Sequence, residues 1–154
     1  MSNYLHSVSE FHETFGHPVL DEPQVPAAKR ASLRVALLQE ELDELQEAIE
    51  NKDIVAAADA FADLQYVLAG AILEFGLKEK FDQLFTEVHR SNMSKACNSE
   101  KEAQETVAHY LQNHATASYY VEKEGKWLVY RKEDNKTLKN IYYSEAQLHQ
   151  IVNQ

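Results

Sequence analysis

The stretch that decides the fold is residues 54–77, IVAAADAFADLQYVLAGAILEFGL, an apolar segment interrupted by a few acids. Apolar side chains occupy nearly every face at helical spacing, which predicts a helix buried on all sides. Asp59 and Asp63 lie one turn apart and share a face with Tyr66. Ionised carboxylates in such a helix are costly without a counter-charge, and two of them also repel each other. Divalent cations that prefer oxygen ligands are the simplest compensation.

A second acidic group precedes this segment, on a long helix predicted for about residues 27–51. The predicted apolar stripe of that helix consists of Leu38, Leu42, Leu45 and Ile49. Glu41 and Glu44 border the stripe on one flank, and Glu40 reaches the same region only from its edge. Since two antiparallel helices joined by a tight turn lie side by side, we expect these glutamates to meet the two aspartates in one carboxylate cup. Four carboxylates suit two or more Mg²⁺ ions that also bind substrate phosphates.

The rest of the chain predicts a helical bundle with a small hairpin. Further helices are predicted for residues 3–15, 78–95 and 99–113 and for a short segment that begins at Ser144. Residues 117–121 and 127–131 are rich in aromatic and β-branched side chains and flank a Glu-Gly turn, which indicates a β-hairpin. We therefore expect an all-α dominated, antiparallel helical bundle with a small C-terminal β-hairpin appendage. The predicted division is a core of residues 1–97 and an extension of residues 98–154, packed on the same domain.

Composition narrows the range of partners. The formal net charge is −10 and the isoelectric point is about 5.1, which disfavours binding to nucleic acid backbones or anionic membranes. The single cysteine, Cys97, excludes a disulfide within the chain and suits a reducing, cytoplasmic location. No Gly-rich phosphate-binding loop occurs in the sequence, so the chain is not a P-loop enzyme.

Two acidic motifs carry a resemblance to a known superfamily. EELDE (residues 40–44), followed by DAFAD (residues 59–63) on the next helix, resembles the all-α nucleoside triphosphate pyrophosphohydrolases. This superfamily comprises MazG-like enzymes, dimeric dUTPases and phosphoribosyl-ATP pyrophosphohydrolases, and its usual pattern is EExxE followed by ExxD. Asp63 takes the last position of that pattern, but Ala60 stands where the glutamate is expected, and Asp59 resembles its substitute on the same face. The resemblance covers about residues 8–95 and includes the stretches SEFHETFGHPV, LRVALLQEELDEL and EVHRSNMSK.

The resemblance implies an activity and a cofactor. An NTP or dNTP is cleaved between its α and β phosphates by a metal-activated water, which yields the monophosphate and pyrophosphate in nucleotide-pool sanitation. Mg²⁺ is the implied cofactor, and Mn²⁺ can substitute for it. The implied catalytic residues are Glu40, Glu41 and Glu44, and the implied metal ligands are Glu41, Glu44, Asp59 and Asp63. Members of the superfamily assemble as homodimers or dimers of dimers, which is the assembly expected here.

Basic and polar residues near the motifs are expected to contact the nucleotide. The predicted substrate-binding residues are Arg34, Tyr66, Arg90, Asn92 and Lys95. Arg90 and Lys95 suit phosphates, and Asn92 suits a base edge. Arg34 either orients Glu41 or touches phosphate.

Two other functions remain open at this point. One is phosphoribosyl-ATP hydrolysis, although chains of that type are usually shorter and lack the FHETFGHPV leader. The other is a non-enzymatic helical scaffold or metal-binding protein, whose acids make only salt bridges.

Overall fold

The computed structural model describes residues 3–153, and this range contains six helices and one two-stranded sheet. The helices are α1 (Asn3–Phe15), α2 (Ala28–Glu50), α3 (Ile54–Glu74), α4 (Phe81–Met93), α5 (Glu100–His114) and α6 (Leu148–Val152), and the strands are β1 (Ser118–Lys123) and β2 (Lys126–Arg131). The predicted fold class, an all-α dominated bundle with a small β-hairpin, is confirmed. The chain forms two compact units, which divide between Asp82 and Gln83. The division predicted after residue 97 stays a prediction.

The first unit has its core where α1 packs on the C-terminal half of α3. The buried cluster consists of Leu5, Val8, Ala69, Ile72 and Leu73. Tyr4, Val19, Leu77 and Phe81 pack against it. The connector between α1 and α2 is tied to the end of α3, since the Leu20 amide donates to the Leu73 carbonyl at 3.0 Å. These contacts fix α1 and α3 around a shared apolar centre.

The turn between α2 and α3 is set by local chemistry. Asp53 is the N-cap of α3, and its carboxylate accepts hydrogen bonds from the amides of Val55 and Ala56. Gly76 follows the C-terminal residue of this helix with a φ of +67°, a left-handed conformation that favours glycine. A Cβ at this glycine would lie only 1.9 Å from the Glu22 carbonyl oxygen. Helix α3 therefore begins and ends close to where the sequence predicted.

The expectation that α3 is buried on all sides is wrong for its N-terminal half. Ile54 is 79 % exposed, Val55 76 % and Phe61 59 %. Among the described helices of the first unit, α1 and α2 cover α3, and two neighbours cannot cover a helix that is apolar all round. By length and composition alone α3 could also cross a membrane, but core helices of soluble proteins share those properties.

The predicted apolar stripe of α2 is wrong for two of its four residues, since Leu38 and Leu45 are half-buried. Leu42 and Ile49 are 48 % and 62 % exposed, whereas the buried residues of α2 are Arg34 and Ala48. The helix is rotated so that a small side chain and a charged one face inward. The reason is a buried acid on α3 that pairs with Arg34, as described below.

The second unit consists of most of α4 with α5, the hairpin and α6. β1 and β2 pair antiparallel around Glu124 and Gly125, both of which have positive φ, as a tight hairpin turn requires. The core of this unit contains Cys97, Ala103, Val129 and Leu138. The last helix, predicted to begin at Ser144, begins instead at Leu148, and its N-cap, Gln147, makes no side-chain hydrogen bond.

Candidate active site

Glu41 on α2 lies near two acids of α3, Asp59 and Asp63, in the first unit. Burial raises the pKa of Glu41, and the negative charge of Asp63 raises it further, followed by the charges of Glu44, Glu40 and Asp59. Repulsion weakens with distance, so these acids lie near Glu41, and the carboxylate cup itself stays a prediction. We call Glu41, Glu44, Asp59 and Asp63 the carboxylate cluster. Glu40, at the edge of the cluster, is exposed.

The carboxylate cluster faces solvent rather than a dry pocket. Glu44, Asp59 and Asp63 are exposed and Glu41 is half-buried, which corrects the expectation of acids inside a buried helix. The physical reason is the uncovered N-terminal half of α3. None of the ion pairs found within residues 3–153 involves the cluster. Within the same range no group of three or more His, Cys, Asp or Glu side chains is arranged so that it could hold a metal ion.

One end of the cluster borders a polar hollow of about 290 Å³. Glu44 and Asp59 line it together with Ala48 and Ala56, the small residues that let the two helices approach. Asp53 and Glu47 add two further acids to its rim. The hollow therefore offers space beside the carboxylates and a strongly negative wall.

At the other end of the α2–α3 interface lies a buried ionic group that sequence reasoning missed. Glu74 is fully buried, and its carboxylate accepts hydrogen bonds from the guanidinium groups of Arg30 and Arg34. Burial alone would raise the pKa of Glu74, but these hydrogen bonds and the two positive charges outweigh it and lower the pKa. We call Arg30, Arg34, Glu74 and His12 the Arg–Glu network. The sequence signals for this network were two arginines four residues apart on α2, Arg30 and Arg34, and an acid within an apolar run, Glu74.

His12 completes the network and is buried as well. Its Nδ1 lies 2.9 Å from the Pro18 carbonyl oxygen and therefore donates, while its Nε2 lies 3.2 Å from Arg34 Nη2 and accepts. This pattern belongs to the neutral imidazole. Burial lowers the pKa of His12, and the positive charge of Arg34 acts in the same direction. Two arginines and one carboxylate leave the network with a net charge of about +1.

Arg34 does not take the first of its two predicted roles. It bonds Glu74 and His12 rather than Glu41, because the fully buried carboxylate of Glu74 needs compensation more than a half-exposed one does. Gly70 makes room for the guanidinium, since a Cβ there would lie 2.7 Å from Arg34 Nη1. Tyr66 lies on the same face of α3 as Gly70 and is 40 % exposed. The substrate contacts of Arg34 and Tyr66 stay predictions.

The other predicted substrate-binding residues belong to the second unit. Arg90 is held by Glu87, with Nε to Oε2 at 2.8 Å, and by the Ser144 hydroxyl at 3.1 Å. The Arg90 hydrogen bond is the main reason that the pKa of Glu87 is lowered to about 2. Lys95 donates to the Asn92 side chain at 2.7 Å. These contacts are local to the second unit, and the roles of Arg90, Asn92 and Lys95 in substrate binding stay predictions.

Comparison with known proteins identifies the family of the chain. A helical bundle whose adjacent helices bring EELDE and an aspartate pair together is typical of the MazG-like all-α nucleoside triphosphate pyrophosphohydrolases. The model of the phosphoribosyl-ATP pyrophosphohydrolase family matches residues 8–92, more than half of the chain. The chain belongs to this family, and it is therefore identified as a pyrophosphohydrolase of the MazG-like superfamily.

The chain is also similar to a viral protein. Uncharacterized protein L479 of Acanthamoeba polyphaga mimivirus is 24 % identical to it, and the alignment covers 92 % of each chain. Such coverage includes most of the residues beyond the family match. The printed name of the relative specifies no activity.

Proposed function

We propose that this chain hydrolyses a nucleoside or deoxynucleoside triphosphate to the monophosphate and pyrophosphate, with Mg²⁺ as its cofactor, in nucleotide-pool sanitation. The observation that carries the proposal is the repulsion within the carboxylate cluster. Burial, and after it the charges of Asp63 and Glu44, raise the pKa of Glu41, and none of the ion pairs found within residues 3–153 involves the cluster. Negative charges gathered without a counter-charge favour the binding of a cation.

The chemistry of these donors fits Mg²⁺. The ion prefers carboxylate oxygens and keeps several waters or phosphate oxygens as further ligands, so a few exposed acids suffice. The side chains as they stand do not close around one point within residues 3–153, so binding requires them to rotate. Rotation costs little for Glu44, Asp59 and Asp63, since all three are exposed. When bound, Mg²⁺ supplies neutralisation of phosphate charge and a water of lowered pKa.

The residues of the chain divide this work by position. The carboxylate cluster holds the ions and through them the triphosphate. We assign to Glu40, at the exposed edge, the acceptance of a proton from the attacking water. Little covalent chemistry is required, because phosphoryl transfer depends mostly on positioning and electrostatic stabilisation.

The test is release of pyrophosphate from a panel of NTPs and dNTPs in the presence of Mg²⁺. Glu44→Ala and Asp63→Ala should each reduce kcat/KM by at least about a hundredfold, the effect typical of lost transition-state charge stabilisation. Asp43→Ala is the matched control, since Asp43 neighbours Glu44 on α2 but is not among the acids that perturb Glu41. No release from any nucleotide, or release that the two cluster variants leave unchanged, contradicts the proposal.

Phosphoribosyl-ATP hydrolysis is the second candidate, because the matching family is described by that activity. This reaction would use the same carboxylates and cleave the same bond. Its substrate differs in the larger group attached to the purine. Assay of purified protein with phosphoribosyl-ATP, and growth rescue of a histidine auxotroph, separate the two. Rescue of growth would favour this candidate over nucleotide-pool sanitation. The family match disfavours the non-enzymatic scaffold.

We also propose that the chain works as a homodimer or a dimer of dimers. The argument is the apolar surface that α2 and α3 leave exposed, which includes Val35, Ile49, Ile54, Val55 and Phe61. Burying each of these side chains against a second copy would contribute about 1.5–3 kcal/mol. Light scattering should give at least twice the mass of one chain, and Phe61→Asp should lower it. A monomer at micromolar concentration contradicts this proposal.

A further inference from the structure

Residues 143–147, which we call the strap, connect two buried positions of the second unit. They belong to no helix or strand and lie between Asn140 and Ile151, which are 4 % and 7 % exposed. The Asn140 amide donates to the Lys95 carbonyl at 3.2 Å, and its side chain donates to the Ala96 carbonyl at 3.3 Å. The chain is therefore fixed on both sides of the strap.

The strap is bound by one face of α4. Residues spaced by three and four positions share a face of a helix, and those that do so here are Glu87, Arg90, Ser91 and Ser94, the last just past the end of α4. The Ser91 hydroxyl lies 2.8 Å from the Tyr143 hydroxyl, and the Ser144 amide donates to the Ser94 hydroxyl at 3.0 Å. Two serines of this face therefore hold the first half of the strap.

Arg90 and Glu87 hold the second half of the strap. The Glu87 carboxylate accepts from Arg90 Nε and Nη2, both at 2.8 Å, and it also accepts from the Gln147 amide at 2.8 Å. Arg90 Nη1 donates to the Ser144 hydroxyl at 3.1 Å, and Nη2 donates to the Glu145 carbonyl at 3.0 Å. Four of the five N–H donors of the guanidinium therefore have acceptors, and its charge is paired.

Arg90 and Asn92 lie on nearly opposite sides of α4. Residues two apart on a helix differ in direction by about 200°, which is about 160° by the shorter way round. The guanidinium of Arg90 is fixed on the side of the strap by its bonds to Glu87 and Ser144. A nucleotide bound at Asn92 would therefore lie out of its reach, so these two predicted substrate contacts do not belong to one site on this helix.

The contacts with the strap require an arginine at position 90. The guanidinium contacts Glu87 with two nitrogens and two strap oxygens with its remaining donors, which a lysine ammonium cannot do at once. A surface ion pair on one helix contributes little stability by itself. The arrangement of Arg90 and Glu87 is therefore explained by the segment that they bind.

We propose that Arg90 anchors the strap to α4 and does not bind a phosphate of the substrate. Arg90 and Glu87 together keep the strap closed on this face of the helix. The anchoring is independent of the proposed hydrolysis, and only the exclusion of Arg90 from phosphate binding rests on it. The predicted role of Asn92, on the other side of α4, is unaffected.

Hydrogen exchange of backbone amides in the full chain tests the anchor. The amides of Ser144 and Gln147 both donate to the strap-binding face of α4. Arg90→Ala should raise their exchange rates at least about tenfold, because the strap then opens more often. Glu145→Ala is the matched control and should change neither rate, since Arg90 binds the main-chain carbonyl of Glu145, which alanine retains. Unchanged rates in Arg90→Ala would overturn the anchor.

Arg90→Lys separates an anchor from a phosphate ligand. Lysine binds phosphate as a point charge but cannot replace the guanidinium fork, so it should raise the same two exchange rates nearly as much as alanine does. It also gives an answer if Arg90→Ala does not fold, because it keeps the charge and a good helix former at an exposed position. Both variants should bind magnesium pyrophosphate with an affinity within about threefold of the unaltered chain. An affinity that falls at least about tenfold in Arg90→Ala and recovers in Arg90→Lys would identify a phosphate ligand and overturn the proposal.

The outcomes separate this inference from the proposed hydrolysis. Faster exchange of the strap in Arg90→Ala, in a protein that releases no pyrophosphate from any nucleotide, would keep the anchor and refute the hydrolase. Pyrophosphate release with a KM that rises in Arg90→Ala and is restored in Arg90→Lys would keep the hydrolase and refute the assignment of Arg90.

Discussion

Glu74→Gln is the perturbation that tests the buried Arg–Glu network most sharply. The substitution keeps the shape of the side chain and one acceptor oxygen, and it removes the only negative charge of the network. Arg34, with 8 % of its side chain exposed, is then left as a buried cation without a counter-charge. Arg30 keeps 30 % of its side chain exposed and can turn towards water.

The expected cost follows from this difference between the two arginines. Removing one partner of a buried ion pair costs about 3–5 kcal/mol. The retained amide acceptor and the exposure of Arg30 place the expected loss at the lower end, about 3 kcal/mol. With a urea m value of about 1.5 kcal/mol/M, the unfolding midpoint should fall by about 2 M. Arg30→Gln should cost less, about 1 kcal/mol, because the retained pair with Arg34 still compensates Glu74.

Urea unfolding followed by two probes measures the effect. Circular dichroism at 222 nm follows the helices, and the fluorescence of Trp127 follows the second unit. Glu79→Gln is the control, since Glu79 is an exposed acid of the same unit. The expected result is a large shift of the dichroism midpoint for Glu74→Gln and almost none for the control. An unfolding free energy within about 0.5 kcal/mol of the unaltered chain would refute the argument from buried charge.

Three further perturbations follow from the same geometry. Asp63→Asn should raise the melting temperature of the metal-free protein, because it removes a charge that repels Glu41. The same variant should lose the stabilisation by millimolar Mg²⁺ that ligand linkage predicts for the unaltered chain. A lower melting temperature of the variant without metal would contradict this reasoning. Burial lowers the pKa of His12 below its usual 6.5, so the neutral side chain stabilises the fold above that pH, and this stabilisation should decline as the pH falls from 6.5 towards the lowered pKa of the folded state. The unfolding free energy should therefore fall between pH 7 and pH 5 in the unaltered chain, and it should fall less in His12→Asn. An equal fall in both proteins would exclude the effect. Gly70→Ala should lower the unfolding free energy by about 1–3 kcal/mol through overpacking, because the new Cβ would lie 2.7 Å from Arg34 Nη1. Thermal unfolding would measure this loss. An unchanged melting temperature would show that the guanidinium of Arg34 moves freely.

Helix positions were predictable because local chemistry sets them. Asp53 caps α3, and Ser99 caps α5 by accepting from the Glu102 amide. The hairpin followed from a Glu-Gly turn between two aromatic stretches. The approach of Glu41 to Asp63 was also predictable, since a tight turn places adjacent helices side by side.

The buried faces were not predictable, because they depend on partners distant in sequence. Arg34 and Glu74 are 40 residues apart, and each is buried only because the other compensates its charge. A hydropathy pattern assigns Arg34 to solvent and assigns Leu42 and Ile49 to the core, whereas Arg34 is buried and the other two are exposed. The exposed apolar residues of α2 and α3 are the surface of the dimer proposed above, and hydropathy does not distinguish such a surface from the core.

The measurement that tests the central claim most directly is a crystal structure with Mg²⁺ and a non-hydrolysable dNTP analogue. The claim is that carboxylates from α2 and α3 jointly hold divalent ions against a triphosphate. We predict ions about 2.0–2.1 Å from carboxylate oxygens of Glu41, Glu44, Asp59 and Asp63 and from phosphate oxygens of the analogue. Ions and phosphates bound away from these four residues, or carboxylates that still point apart at saturating Mg²⁺, would contradict the account.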